Sequence, residues 1–111
     1  MDYINIAPEQ AQALLASGEI TLVLDTRELH EWQAGHLDHS VVLPVPSGEL
    51  EVAARLQQLA PARDQAVLVH CRSGVRSMRV MPQIAGYGFR KIYHLPGGIL
   101  SWVQAGLPLV A

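Results

Sequence analysis

The sequence predicts an α/β fold, a mostly parallel five-stranded sheet with helices on both faces. Three observations predict it. Five short strand-like runs alternate with helical stripes along the chain. The longer runs are apolar throughout rather than alternating, as strands covered on both faces are. The chain has 111 residues, 50% of them hydrophobic, which suits one packed core. The expectation is a single domain over residues 1–111.

Each element has a local reason. Ile4 to Ile6 suits a short first strand. Pro8 fits a first helical position, Ala11, Leu14 and Leu15 make an i, i+3, i+4 stripe, and Gly18 fits the stop. Ile20 to Leu24 is an apolar run and reads as a buried strand. Glu28 to Ala34 suits a short helix ended by Gly35. Ser40 to Leu43 is strand-like and is stopped by Pro44 and Pro46. Gly48 to Leu59 carries Val52, Leu56 and Leu59 on one helical face.

Ala66 to His70 reads as a strand running into Cys71. Ser77 to about Ala85 suits a helix, with a kink or early break expected at Pro82. A helix-interior proline removes a backbone donor and clashes with the carbonyl four residues back, at about 3 kcal/mol. Lys91 to His94 is the fifth strand. Ile99, Trp102 and Val103 form the last stripe, with Gly106 past its end. Trp32 and Trp102 both lie in helical stripes and read as core.

Composition narrows the function. The formal charge is −2 and the pI about 6.2, so no overall basic field points to nucleic acid or a membrane surface. The start, MDYINIAPEQ, lacks the pattern of a signal peptide, and no apolar stretch approaches membrane-spanning length. One cysteine excludes an internal disulfide and an all-cysteine metal site. Histidines 30, 36, 39, 70 and 94 lack a metal-ligand spacing. Neither a metal nor another cofactor is expected, and a reducing, cytoplasmic location is.

The chemistry concentrates in LVHCRSGVRS, residues 68 to 77. Ligands of parallel sheets bind beyond the carboxyl ends of strands, where Cys71 falls. A thiol is a nucleophile only as thiolate. Inward-curled N–H groups of residues 72 to 77, the positive end of the following helix and the charges of Arg72 and Arg76 all favour that anion. Gly74 opens backbone conformations that a tight cradle needs, and Ser73 and Ser77 add hydroxyls. Arg72, Ser73, Gly74, Val75, Arg76 and Ser77 are therefore the candidate substrate-binding set around a catalytic Cys71. Asp25 and Arg27, at a neighbouring strand end, are candidate supports that brace the loop. Arg76 has an alternative role as an ion-pair partner of Asp25 or Glu28. His70 is left outside the site, its side chain facing away along the strand.

Two enzyme classes use such a bowl. Cysteine phosphatases place an arginine after five intervening residues, but that position here is Ser77, and Arg76 comes one residue early. The shorter ring suits one terminal sulfur better than a phosphoryl group. No Trp-Pro-Asp segment supplies a phosphatase's acid. A phosphatase or arsenate reductase remains the alternative, and a noncatalytic binding or sulfur-relay module a second.

Three segments together resemble the single-domain rhodanese family of thiosulfate sulfurtransferases. LVLDTRELHEWQAGH (22 to 36) resembles its Asp-x-Arg-Glu segment, VLVHCRSGVRS (67 to 77) its Cys-Arg-x-Gly-x-Arg loop, and IYHLPGGILSWVQAGLP (92 to 108) its closing Leu-x-Gly-Gly-x-x-x-Trp segment. The chain departs from the family at Asp38-His39-Ser40, where Pro-Gly-Ala or similar is usual, and at Pro82. The resemblance implies a rhodanese-like fold and sulfur transfer through a Cys71 persulfide. Loop N–H groups from Arg72 to Arg76 would stabilise that persulfide, and Arg72 and Arg76 would hold a donor's sulfonate. The implied partners are a small-molecule donor, such as thiosulfate or a persulfide, and an acceptor that is cyanide, a thiol or a protein. Gly97 and Gly98 would supply a turn near the site, and His36 a structural hydrogen bond.

Overall fold

The computed structural model describes residues 3–59 and 63–111. Strands β1 (Ile4–Asn5), β2 (Ile20–Asp25), β3 (Ser40–Val42), β4 (Ala66–His70) and β5 (Lys91–His94) form one sheet in the order β1-β5-β4-β2-β3. Every neighbouring pair is parallel. Helices α1 (Pro8–Ser17), α2 (Leu29–Ala34), α3 (Glu49–Gln58), α4 (Val75–Tyr87) and α5 (Gly98–Gln104) connect or follow the strands. The expected α/β sheet is present.

The apolar strands are explained by two cores. Val23, Leu68 and Tyr93 pack with Ala11 of α1 and Ile99 and Trp102 of α5. Their sequence neighbours Leu24, Val67, Val69 and Ile92 pack with Val52 and Leu56 of α3 and Val80, Met81 and Ile84 of α4. Successive strand side chains point to opposite faces, so both faces carry helices. All five residues of β4 are buried, which makes it the shared wall of both cores.

Local chemistry ends the elements as expected in several places. Gly18 stops α1 in the left-handed region at φ +84° and donates its N–H to the Leu15 carbonyl. Three readings need correction. Helix α4 runs through Pro82 to Tyr87, so the expected early break is absent, and it starts at Val75 rather than Ser77. Pro82 and Met78, the residue whose carbonyl loses its partner, are both exposed, while Val80, Met81 and Ile84 hold the helix to the sheet. Packing outweighs the local cost. Trp32 is only half-buried, stacks on the His36 ring at 3.8 Å between centroids, and donates Nε1–H to Ser40 Oγ. Trp102 is core, as expected.

One feature had no counterpart in the expected elements. His36 and Val110 form an isolated antiparallel bridge that ties the chain's last residues to the turn after α2. Among the described residues, no helix is long and apolar enough to cross a membrane.

Candidate active site

Cys71 leaves the carboxyl end of β4 and is 1% exposed. The loop that follows brings Gly74 and Ser77 to its sulfur. The Gly74 N–H donates to Cys71 Sγ at 2.9 Å, and the Ser77 hydroxyl lies 3.5 Å from the same atom. Burial pushes the thiol up. The Ser77 hydroxyl and the N–H groups of Ser77, Gly74 and Ser73 outweigh it, so the thiol sits below its ordinary value. The amides that bear on sulfur are thus those of Ser73, Gly74 and Ser77, fewer than the whole run of 72 to 77 and including one beyond Arg76.

The cup's direction is set from outside. The N–H groups of Ile99 and Leu100, in the first turn of α5, take the carbonyls of Cys71 and Arg72 at 2.8 and 3.2 Å. With those carbonyls drawn outward, neighbouring amides face the sulfur. Two glycines make this approach possible. A Cβ on Gly98, at φ +63°, would strike the backbone of Cys71 and Arg72, and one on Gly74, at φ +108°, would strike the Pro96 carbonyl. The Gly97-Gly98 turn is therefore a contact with the loop's backbone.

The two loop arginines differ. Arg76 makes a two-pronged pair with Glu31 of α2, Nη1 to Oε1 at 2.6 Å and Nη2 to Oε2 at 3.0 Å. The partner is neither Asp25 nor Glu28. The Arg76 guanidinium, ahead of the Glu28 N–H, draws the Glu31 carboxyl down to about 2 against the push of burial. Arg72 is exposed, and among the described residues no ion pair engages it. Ser73 and Val75 are exposed at the rim, Val75 opening α4. A cleft of about 430 Å³, lined in part by Ser73, Gly74, Val75 and Pro96, runs beside the loop.

Asp25 and Arg27 lie at the end of β2, buried and doubly bonded to each other, with Nε to Oδ1 at 2.9 Å and Nη2 to Oδ2 at 2.7 Å. Arg27 also holds the Gly35 carbonyl. Neither touches Cys71 in these bonds. Their link to it runs through His70, whose Nε2 is 3.8 Å from Asp25 Oδ2 and whose Nδ1 is 3.0 Å from the Cys71 carbonyl oxygen. Burial holds the His70 imidazole below its ordinary value, so it is neutral, and Nδ1–H donates to that carbonyl. His70 thus steers the Cys71 backbone and not its sulfur. His36 Nδ1 lies 2.7 Å from the Trp32 carbonyl oxygen, a structural contact.

Two residues that hold side chains of the loop escaped the sequence reading. Glu31 sits 45 positions from Arg76, in a helix to which no site role was given. His94 lies within hydrogen-bond reach of Ser77, with Nε2 2.7 Å from Oγ. A signal for His94 existed. Strand ends of a parallel sheet converge on one edge, and His94 closes the strand beside β4, paired in register with Val69.

The comparisons agree with the fold. The family model for the rhodanese-like domain matches residues 7–105. A tRNA uridine(34) hydroxylase from Pectobacterium carotovorum is 26% identical over 86% of this chain, which spans only 28% of that relative's length. Thiosulfate sulfurtransferase 18 of Arabidopsis thaliana is 29% identical over 97% of this chain and 84% of its own. A rhodanese-related protein from Thermoplasma volcanium superimposes with a TM-score of 0.78 at 29% identity, covering 97% of this chain and 98% of its own. The family model's match covers most of the chain, and the chain belongs to the rhodanese-like domain family.

Proposed function

We propose that the protein is a sulfurtransferase that carries a sulfane sulfur on Cys71. The observation that carries this reading is the sulfur itself, met by the Gly74 N–H at 2.9 Å in a cup closed by Ser77. Such donors are aimed where negative charge develops and need no rearrangement when it appears. The Cys71 thiolate attacks the outer sulfur of a donor such as thiosulfate. A new S–S bond forms, the donor's S–S bond breaks, and sulfite leaves with the electron pair. An acceptor thiolate or cyanide then attacks the outer sulfur, and Cys71 departs as thiolate. Two easier displacements replace one harder transfer.

In this reading Ser73, Gly74 and Ser77 stabilise the sulfur anion, and Val75 opens the helix whose positive end faces it. Arg72, exposed at the rim, receives the donor's sulfonate. Arg76 already has its charge compensated by Glu31, so its task is to hold the loop against α2. Asp25 and Arg27 support the loop through His70. The partners are a small sulfur donor and a thiol, cyanide or protein acceptor, in the reducing cytoplasm where a lone thiol persists.

Thiocyanate production from thiosulfate and cyanide tests the proposal. Turnover is expected in the protein and its loss in Cys71→Ser. Turnover of an artificial phosphate ester that disappears in Cys71→Ser, with no thiocyanate formed, would replace this reading by a phosphatase.

A further inference from the structure

We propose that His94 accepts the thiol proton of Cys71 through the Ser77 hydroxyl, with Asn5 holding the imidazole in the tautomer that can accept. The proposal rests on the sulfur-transfer reading for its purpose. It adds the residue that turns thiol into nucleophile.

Four residues from four parts of the chain line up. Asn5 ends β1, His94 ends β5, Ser77 lies in the first turn of α4 and Cys71 follows β4. His94 Nδ1 is 2.9 Å from Asn5 Oδ1. An amide oxygen only accepts, so Nδ1 carries the hydrogen and Nε2 presents its lone pair. That lone pair is 2.7 Å from Ser77 Oγ. Ser77 Oγ is in turn 3.5 Å from Cys71 Sγ and 3.1 Å from the Gly74 carbonyl oxygen. Ser77 has one proton and three acceptors within reach, and the imidazole is nearest.

The step balances without another reagent. The Sγ–H bond breaks and its proton passes to Ser77 Oγ, while the proton of Ser77 passes to His94 Nε2. A neutral thiol and a neutral imidazole become a thiolate and an imidazolium, with Ser77 still neutral. The Ser77 O–H now points at the thiolate it has just created. His94 does not touch the reacting sulfur, so it is a positioning residue that acts through Ser77.

The surroundings of His94 are consistent with this task. It is 1% exposed. Tyr3 meets its ring edge-on at 5.8 Å from the segment before β1, Asn5 faces it from β1 and Ser77 from α4. Of the titratable groups on β4 and its loop, Cys71 is reached through Ser77, and His70 would repel a charge on the ring only if it were itself protonated. Burial holds His94 below its ordinary value, and a protonated His70 would hold it lower still. The ring is therefore neutral near pH 7 with its Nε2 lone pair open, and because burial weakens it as a base, the imidazolium relies on the thiolate formed beyond Ser77 to offset its charge.

Alkylation of Cys71 by iodoacetamide, followed across pH, reads the thiolate directly. The comparison is with His94→Gln, which leaves Ser77 a hydrogen-bond acceptor but no base. The midpoint is expected to rise by about one pH unit, leaving about tenfold less thiolate on the rising limb. Superimposable profiles in folded protein would overturn the proposal. If His94→Gln fails to fold, the native protein decides by NMR titration of the His94 ring nitrogens before and after alkylation. Loss of the thiolate should lower the His94 midpoint, and an unchanged midpoint overturns the relay. Neither readout uses a sulfur donor. A protein with the shift but no sulfur transfer keeps the relay and loses the function, and the reverse result does the opposite.

Discussion

Glu31 and Arg76 show what a single pair adds to the loop that holds Cys71. Both side chains are about three-quarters buried, with 21% and 24% exposure. The Glu31 carboxyl is lowered from 4.5 to about 2, chiefly by hydrogen bonds from Arg76. A lowered carboxylate adds stability above its unfolded value and loses it as pH falls toward the folded one. The pair's contribution should therefore be intact above about pH 4.5 and disappear between there and pH 2. Glu31→Gln should cost about 1–3 kcal/mol at pH 7 in urea melts. The gap from the native protein should close across that acid window, and a gap independent of pH would refute the assignment. The sequence displayed Cys71, the glycine of its loop and the two arginines, because they are neighbours along the chain. It hid the partners of Arg76 and of Ser77, because Glu31 and His94 arrive from other strands and helices.

At the scale of elements, α5 and the turn before β3 carry the most information. The first N–H groups of α5 hold the carbonyls of Cys71 and Arg72, and Gly98 leaves no room for a side chain between them. Gly98→Ala should cost about 2–4 kcal/mol through strain and collision with the loop backbone. It should also raise the pH midpoint of Cys71 alkylation, because displaced carbonyls release the amides from the sulfur. A fully stable variant with an unchanged midpoint would dismiss this account of the cup. His39 is a contrasting case. It takes φ +64°, unusual for a residue with a Cβ, where the family's usual Pro-Gly-Ala places glycine. Relief of that strain exceeds the entropy glycine loses on folding, so His39→Gly should gain about 0.5–1 kcal/mol in chemical denaturation. Periodic stripes marked α1, α3 and α5, and the sequence suited helices at α2 and α4 as well. The start of α4 was misplaced, and of the kink or early break expected at Pro82 the break is absent, because the force that carries the helix onward is packing against a sheet that the helix's own residues do not reveal.

Across the whole molecule, β4 serves two cores and delivers the thiol. Leu68 faces the α1 and α5 side, while Val67 and Val69 face the α3 and α4 side. Emptying either side should therefore loosen the same strand. Leu68→Ala is expected to cost about 2–5 kcal/mol. Trp102 fluorescence, from the α5 side, and far-ultraviolet circular dichroism should follow one coincident transition. Separate transitions would mean that the two faces are independent. The parallel sheet itself was legible because strands buried on both faces are apolar throughout. Their spatial order and the bridge between His36 and Val110 were not, since pairing between distant strands leaves little local pattern. The position of the site followed from topology, as strand ends of such a sheet converge on one edge.

The central claim is that this cup holds a transferable sulfur on one cysteine. Intact mass after incubation with thiosulfate tests it most directly. The native protein should gain one sulfur atom, lose it to cyanide, and gain none as Cys71→Ser. An unchanged native mass, or a gain that persists in Cys71→Ser, would contradict the claim.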